Sequence, residues 1–121
     1  MKISLITVCY NAEKTIADAM ESVFAQRHGD TEIEYLVVDG GSTDGTVDII
    51  KKFAEQSTGR GEAETIAFRW LSEPDNGMYD ALNKGIRMAT GEVIGILNAD
   101  DVLAEDDVLA RIVRLFDCSI D

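Results

Sequence analysis

Residues 33–54 read IEYLVVDGGSTDGTVDIIKKFA. Ile33 to Val38 is short, rich in β-branched residues and nearly unbroken in apolar character, which suits a strand covered on both faces, as in a parallel sheet. Asp39 to Gly45 is polar and glycine-rich, the composition of a loop. Beyond it Val47, Ile50, Phe53 and Ala54 recur at helical spacing, with Ser42 or Asp44 as the candidate N-cap. The stretch therefore predicts a strand, a polar loop and a helix, in that order.

The same order recurs on either side. Ile3 to Cys9, Ile66 to Leu71 and Val93 to Leu97 are further strand-like runs. Ile16, Met20, Val23 and Phe24 mark a first helix, for which Asn11 is the candidate cap. Met78, Leu82, Gly85, Ile86 and Ala89 mark a third and are expected to pack into the core, with Asp80, Lys84 and Arg87 opposite and Gly91 as the C-terminal stop. Leu109, Ile112, Val113 and Phe116 mark a fourth. Ser57 to Glu64 is expected to be a surface loop. The order βαβαβαβα predicts one α/β domain over residues 1–121, a doubly wound, mainly parallel sheet with helices on both faces.

Composition narrows the possible partners. The chain has 11 Lys and Arg against 23 Asp and Glu, a net charge of −12. That balance argues against nucleic acid, whose phosphates are gathered by clustered cations, and against adhesion to an anionic membrane. No apolar run is long enough to span a bilayer and no signal region follows Met1, so the expectation is a cytoplasmic domain without direct membrane insertion. Cys9 and Cys118 have no metal-ligand spacing and read as reduced thiols, Cys9 buried at a strand end.

In doubly wound sheets ligands bind beyond the carboxyl ends of the strands. Here the four strands end in Tyr10-Asn11, in Asp39 to Gly45, in Ser72 to Gly77 and in Asn98 to Asp101. Convergence of these loops would crowd Asp39, Asp44, Glu73, Asp75, Asp100 and Asp101 on one rim. Crowded carboxylates call for compensation, and a hard divalent cation such as Mg²⁺ or Mn²⁺, shared with substrate phosphates, would supply it. The plainer alternative is that Asp-Gly and Asn-Gly pairs are turn residues and that Asp44 and Asp75 cap helices.

The segments Ile3 to Asn11, Glu34 to Thr46, Tyr79 to Ile86 and Leu97 to Asp101 together resemble the nucleotide-sugar-binding part of glycosyltransferase family 2, which has the GT-A fold. The resemblance covers essentially the whole chain. It implies that Tyr10, with Asn11 beside it, faces a nucleobase, although Tyr10 could instead pack on the first helix. It implies that Asp39 accepts a hydrogen bond from the base edge. Many relatives have a second Asp next to that residue, where this chain has Gly40. Asp75 and Lys84 fall in the stretch that approaches ribose and diphosphate, with a solvated helix position as the alternative for Lys84. Asn98-Ala99-Asp100 lies where relatives carry Asp-x-Asp. Asp100 matches the second acid and is the expected metal ligand, joined by Asp101 unless that residue instead lies in the N-terminal cap region of the last helix, while Asn98 can hydrogen-bond a ribose hydroxyl but contributes no charge.

By the same resemblance the activity is metal-dependent transfer of a sugar, from a UDP-sugar in preference, to a glycan or glycolipid acceptor hydroxyl, with inversion. The full enzyme would then act at the inner face of the cell membrane. The general base is expected beyond Asp121, so this chain alone should bind nucleotide weakly and turn over no acceptor. Apolar surface left open where a further segment would pack is expected to favour a homodimer. Other classes fit less well. A Mg²⁺-dependent phosphoreceiver domain needs an acidic pair after the first strand, a nucleotidylyltransferase a basic glycine-rich loop there, and a dinucleotide-binding oxidoreductase G-x-G-x-x-G. A non-catalytic nucleotide-binding or interaction module is the remaining alternative.

Overall fold

The computed structural model describes residues 2–26, 31–58, 66–103, 105, 108–109 and 111–112. Their elements run β1 (Lys2–Cys9), α1 (Ile16–Phe24), β2 (Glu32–Asp39), α2 (Thr46–Thr58), β3 (Ala67–Ser72), α3 (Met78–Met88) and β4 (Val93–Ile96). All strand pairs are parallel, in the order β3-β2-β1-β4. The α/β class and the two-sided sheet are as expected.

Residue parity along each strand sorts the core into two layers. Ile3, Leu5, Ile33, Tyr35 and Val37 face α1 and α2, where they meet Ile16, Met20, Val23 and Ile50. Ile6, Val8, Leu36 and Val38 face α3 through Ala81, with Leu82 and Met88 packed alongside. Leu109 is buried in the first layer and Ile112 packs against it, which supports a helical segment there, whereas Val113, Phe116 and Cys118 lie outside the described residues. Phe24 stacks on Phe53 and meets Tyr35 and Phe68 edge-on, tying α1 to both α2 and the sheet. Among the described residues, no helix is long and apolar enough to cross a membrane.

Several local expectations are corrected. Ser57 and Thr58 still belong to α2, so the following loop starts later. Met78 and Ile86 are not core residues but 63% and 42% exposed, because the buried face of α3 is centred one position away on Ala81 and Gly85. Gly91 does not stop α3, which is capped by Ala89 in an extended conformation. Gly91 instead lies against β1, where a Cβ would come within 2.7 Å of the Ser4 backbone nitrogen. Asn11 does not cap α1 either, since the N-cap position is Thr15 and carries no side-chain cap bond.

The chain moves outward from β1 to β2 to β3 and then returns to place β4 on the other side of β1. Crossovers of constant hand then put α1 and α2 on one face and α3 on the other. The segment after β4 passes to the α1 face, where Leu103 N donates to Ser22 Oγ and Leu109 N to Gln26 Oε1, and a crevice opens over the carboxyl ends of the strands.

Candidate functional site: a crevice at the carboxyl ends of the strands

The crevice has a volume of about 900 Å³, within the range of small-molecule sites. Each strand contributes to it: Tyr10 and Asn11 from β1, Gly40 and Gly41 from β2, Pro74 and Asp75 from β3, and Asn98, Ala99 and Asp100 from β4. The convergence expected from sequence is therefore present. With neighbouring strands about 4.8 Å apart, the loops of β3 and β4 stand roughly 14 Å from each other, so the crevice has two distinct ends.

The end formed by the β1 and β2 loops is cross-linked. Asp39 shares strand parity with Val37, so its side chain turns beneath the loop and is fully buried. Its carboxylate accepts from Ser42 N (2.8 Å), Ser42 Oγ (2.5 Å), Gly41 N (3.1 Å), Ser72 Oγ (2.8 Å) and Cys9 Sγ (3.4 Å). Burial alone would raise its pKa, but the bonds from Ser42, Ser72 and Cys9 prevail and hold it below the usual carboxylate range. Asp39 is not among the residues lining the crevice. The Asp39 carboxylate is thus hydrogen-bonded on both oxygens by its own chain.

Asn11 is exposed and adopts a left-handed conformation (φ 48°). Its backbone N–H donates to Ser42 Oγ and its side-chain oxygen accepts from Thr43 N, both at 2.8 Å. Glu13 Oε2 accepts from Gly45 N, while Asp44 accepts from Glu13 N and Thr46 N. The bond from the Thr46 hydroxyl is the main reason that the Asp44 carboxyl is held below its ordinary value. Asp44 is thus a loop and helix-start residue, the plainer of the two expectations. Tyr10 stands out of this network with 61% of its surface exposed, at the crevice wall rather than packed away on α1.

Lys84 is spent on the β3–α3 loop. Its ammonium pairs with Glu73 at 2.9 Å and Asp80 at 3.7 Å and donates to the Pro74 carbonyl at 3.3 Å. The hydrogen bond to Glu73 is the chief cause of its raised pKa. It does not line the crevice, and its bonds clamp the segment that carries Asp75. Asp75 does reach the crevice, and its Oδ1 accepts from Gly77 N at 3.0 Å.

At the opposite end Asn98 and Asp100 are exposed, Ala99 is buried, and the turn closes with Asp101 N donating to Asn98 O at 3.0 Å. Asp100 lines the crevice and Asp101 does not. No group of three or more His, Cys, Asp or Glu that could hold a metal forms among the described residues. The predicted crowding of six carboxylates is relieved in the protein itself, by Asp39 turning inward, by Asp44 at the start of α2 and by Lys84 on Glu73. Ala12, Thr15, Met78 and Ala81 also line the crevice and were not anticipated there. For Met78 the available signal was its place directly after the Asn76-Gly77 turn pair, at the start of the helical stripe.

A two-faced parallel sheet with its crevice at the strand-order reversal defines a nucleotide-binding α/β architecture. Comparison gives the family: residues 4–118 match Glycosyl transferase family 2, and the chain belongs to it. It is 39% identical over 119 residues to an uncharacterized glycosyltransferase of a Nostoc species, covering 98% of this chain and 34% of that protein. It is 39% identical over 109 residues to a PGL/p-HBAD biosynthesis glycosyltransferase of Mycobacterium bovis, covering 90% of this chain and 39% of that protein. Among solved structures, S. aureus TarS in complex with UDP-GlcNAc superposes with a TM-score of 0.81 at 27% identity, over 97% of this chain and 31% of that one. A mannosyltransferase of Pyrobaculum calidifontis in complex with GDP-Man and Mn²⁺ gives 0.76 at 30% identity, over 93% and 31%. These neighbours are GT-A glycosyltransferases. The chain spans about a third of the length of the curated relatives it matches.

Proposed function

We propose that residues 1–121 form the sugar-nucleotide-binding half of a glycosyltransferase that moves a sugar from a nucleoside diphosphate donor, a UDP-sugar first among the candidates, to an acceptor hydroxyl with inversion. The observation that carries the proposal is the crevice at the strand-order reversal, built by the four loops that hold the family's motifs. Tyr10 offers the flat face of its ring to the base. Asn98 hydrogen-bonds ribose. Asp39, Asn11 and Lys84 act through the loops they hold.

Asp100 with Asn98 gives an all-oxygen donor set on one edge of the crevice, which fits a hard cation that takes most of its shell from diphosphate and water. Asp100, assisted by Asp101, would hold Mg²⁺ or Mn²⁺, whose chemistry is to neutralise charge on the departing diphosphate. Transfer belongs to the whole enzyme, with the glycan or glycolipid acceptor and the general base met outside these residues, at the inner face of the membrane. The exposed Ile94 and Ile96 of β4, an edge strand of the sheet as described, give a second copy a surface for dimerisation.

Calorimetric titration with UDP and with GDP, each with and without Mn²⁺, tests the reading on wild type and Asp100→Ala. Metal-dependent binding abolished in the variant is expected. A folded chain that binds neither nucleotide under any condition would overturn it.

A further inference from the structure

Ser22 in α1 and Gln26, just beyond its end, lie one helical turn apart and reach the same stretch of chain. Ser22 Oγ accepts from Leu103 N at 3.0 Å and donates to the Ala19 carbonyl at 2.7 Å. Gln26 is buried, and its Nε2 donates to Glu105 O at 2.6 Å and to Ser22 O at 3.2 Å. Its Oε1 accepts from Leu109 N at 3.2 Å. Glu105 O and Leu109 N are a carbonyl and an N–H at the spacing that bonds directly in a regular helical turn. The Gln26 carboxamide takes both, in the manner of an inserted peptide group. A buried amide costs free energy unless it is bonded, and this one is bonded through oxygen and nitrogen to the 105–109 backbone. Neither Ser22 nor Gln26 lines the crevice, so any effect they have on a ligand passes through that backbone.

We propose that Ser22 and Gln26 are positioning residues for the cation end of the crevice, setting where Asp100 stands by holding the chain that leaves its turn; this rests on the donor-binding reading above. The turn hangs between two anchors. On one side Leu97 is buried and its N–H donates to Ile6 O of β1 at 2.9 Å. On the other, Leu103 N is held by Ser22 and the chain beyond it by Gln26. Residues 98–102 span the interval, closed by Asp101 N on Asn98 O. A turn pinned on both sides presents its carboxylate in one place, so a cation meets Asp100 without the entropic cost of ordering it. Released on the Leu103 side, the turn keeps Asp100 but spreads its carboxylate over many positions. Cation affinity then falls, while the stitched end of the crevice is untouched.

The test uses the full 121-residue chain as wild type, Ser22→Ala and Gln26→Leu. Titration with UDP or GDP, whichever wild type binds, with and without Mn²⁺ gives the enhancement that the cation confers. Amide hydrogen exchange followed by NMR reads the turn itself at Asp101 N, with Ser42 N, bonded to Asp39, as the internal control. In both variants the Mn²⁺ enhancement should fall about tenfold, with cation-free binding unchanged. Asp101 N should exchange faster while Ser42 N keeps its rate. Ser22→Ala removes one oxygen from a half-buried position and carries the test if Gln26→Leu does not fold. Equal losses of affinity with and without Mn²⁺, or equal acceleration at Asp101 and Ser42, would show that the two residues support the fold alone and would overturn the proposal. So would an unchanged enhancement in folded Ser22→Ala. Absence of Mn²⁺-dependent binding of either nucleotide in folded wild type would overturn the donor-binding reading and this inference with it.

Discussion

The two ends of the crevice are built by opposite means. Where β1 and β2 end, the loops are stitched together through Asp39, Ser42, Asn11, Glu13 and Asp44, and the bonds join residues about 30 positions apart in sequence. Where β4 ends, Asn98 and Asp100 are exposed on a turn closed by one backbone bond. The first end is rigid before any ligand arrives, so its order is a property of the folded chain. The second end presents exposed polar side chains. Asp39 and Asp44 at the first end hold the loops together, whereas Asp100 at the second is the carboxylate we propose as a ligand residue.

Asp39→Ala should break this contrast most severely. It strips the acceptor from two backbone N–H groups and two hydroxyls beneath the loop, and should cost about 3 kcal/mol in urea unfolding. A loss below 0.5 kcal/mol, within the range of ordinary surface substitutions, would show that the network is ornamental.

Acidification probes the same residue without mutation. A carboxyl whose pKa folding lowers contributes stability that is complete above its unfolded pKa and is lost as pH falls through the folded value. Asp39 and Asp44 are both held low, so unfolding midpoints should hold above about pH 4 and fall below it, and Asp39→Asn should blunt the fall. A midpoint equally acid-sensitive in Asp39→Asn would assign the loss to other carboxylates.

Asn11→Ala removes the acceptor for Thr43 N and forces a side chain with poor left-handed preference into φ 48°, at a cost of about 1.5 kcal/mol. Asn11→Gly, which keeps the backbone freedom, should recover part of this, and equal losses in the two variants would mean that the conformation contributes nothing. The smallest change in stability belongs to Asp100→Ala, within about 0.5 kcal/mol, while Mn²⁺-dependent UDP binding disappears. A large stability loss there would erase the distinction between the two ends.

The sequence made some of these features legible and concealed others, for physical reasons. The strands were readable because Ile3–Cys9 and Ile33–Val38 are covered on both faces, and two-sided burial leaves an almost unbroken apolar run. The rim was readable because polar residues must follow such runs. What a run cannot reveal is which way its last side chain turns. Asp39 lies in register with Tyr35 and Val37, so counting in twos from Tyr35 would have sent it under the loop rather than onto the rim. Met78 failed differently. It fits the helical stripe of α3, but the helix meets the sheet one residue along, and a rotation of that size is set by tertiary packing on Ile6 and Val8. Gly91 against Ser4, and Gly40, where a Cβ would lie 2.8 Å from Asp75 Oδ2, depend on the approach of chain segments far apart in sequence, for which a single chain carries no local signal.

Cys9 offers a use for the stitched end. Its thiol is buried against Asp39 and donates to that carboxylate, and burial together with the neighbouring negative charge keeps it protonated. Thiolate is the reactive form, so a maleimide or disulfide reagent meets an inert sulfur while the loops are closed. In a Cys118→Ser background, the labelling rate of Cys9 becomes a stopwatch for each opening of the rim. Any compound that fills the crevice can then be recognised by how far it slows the clock.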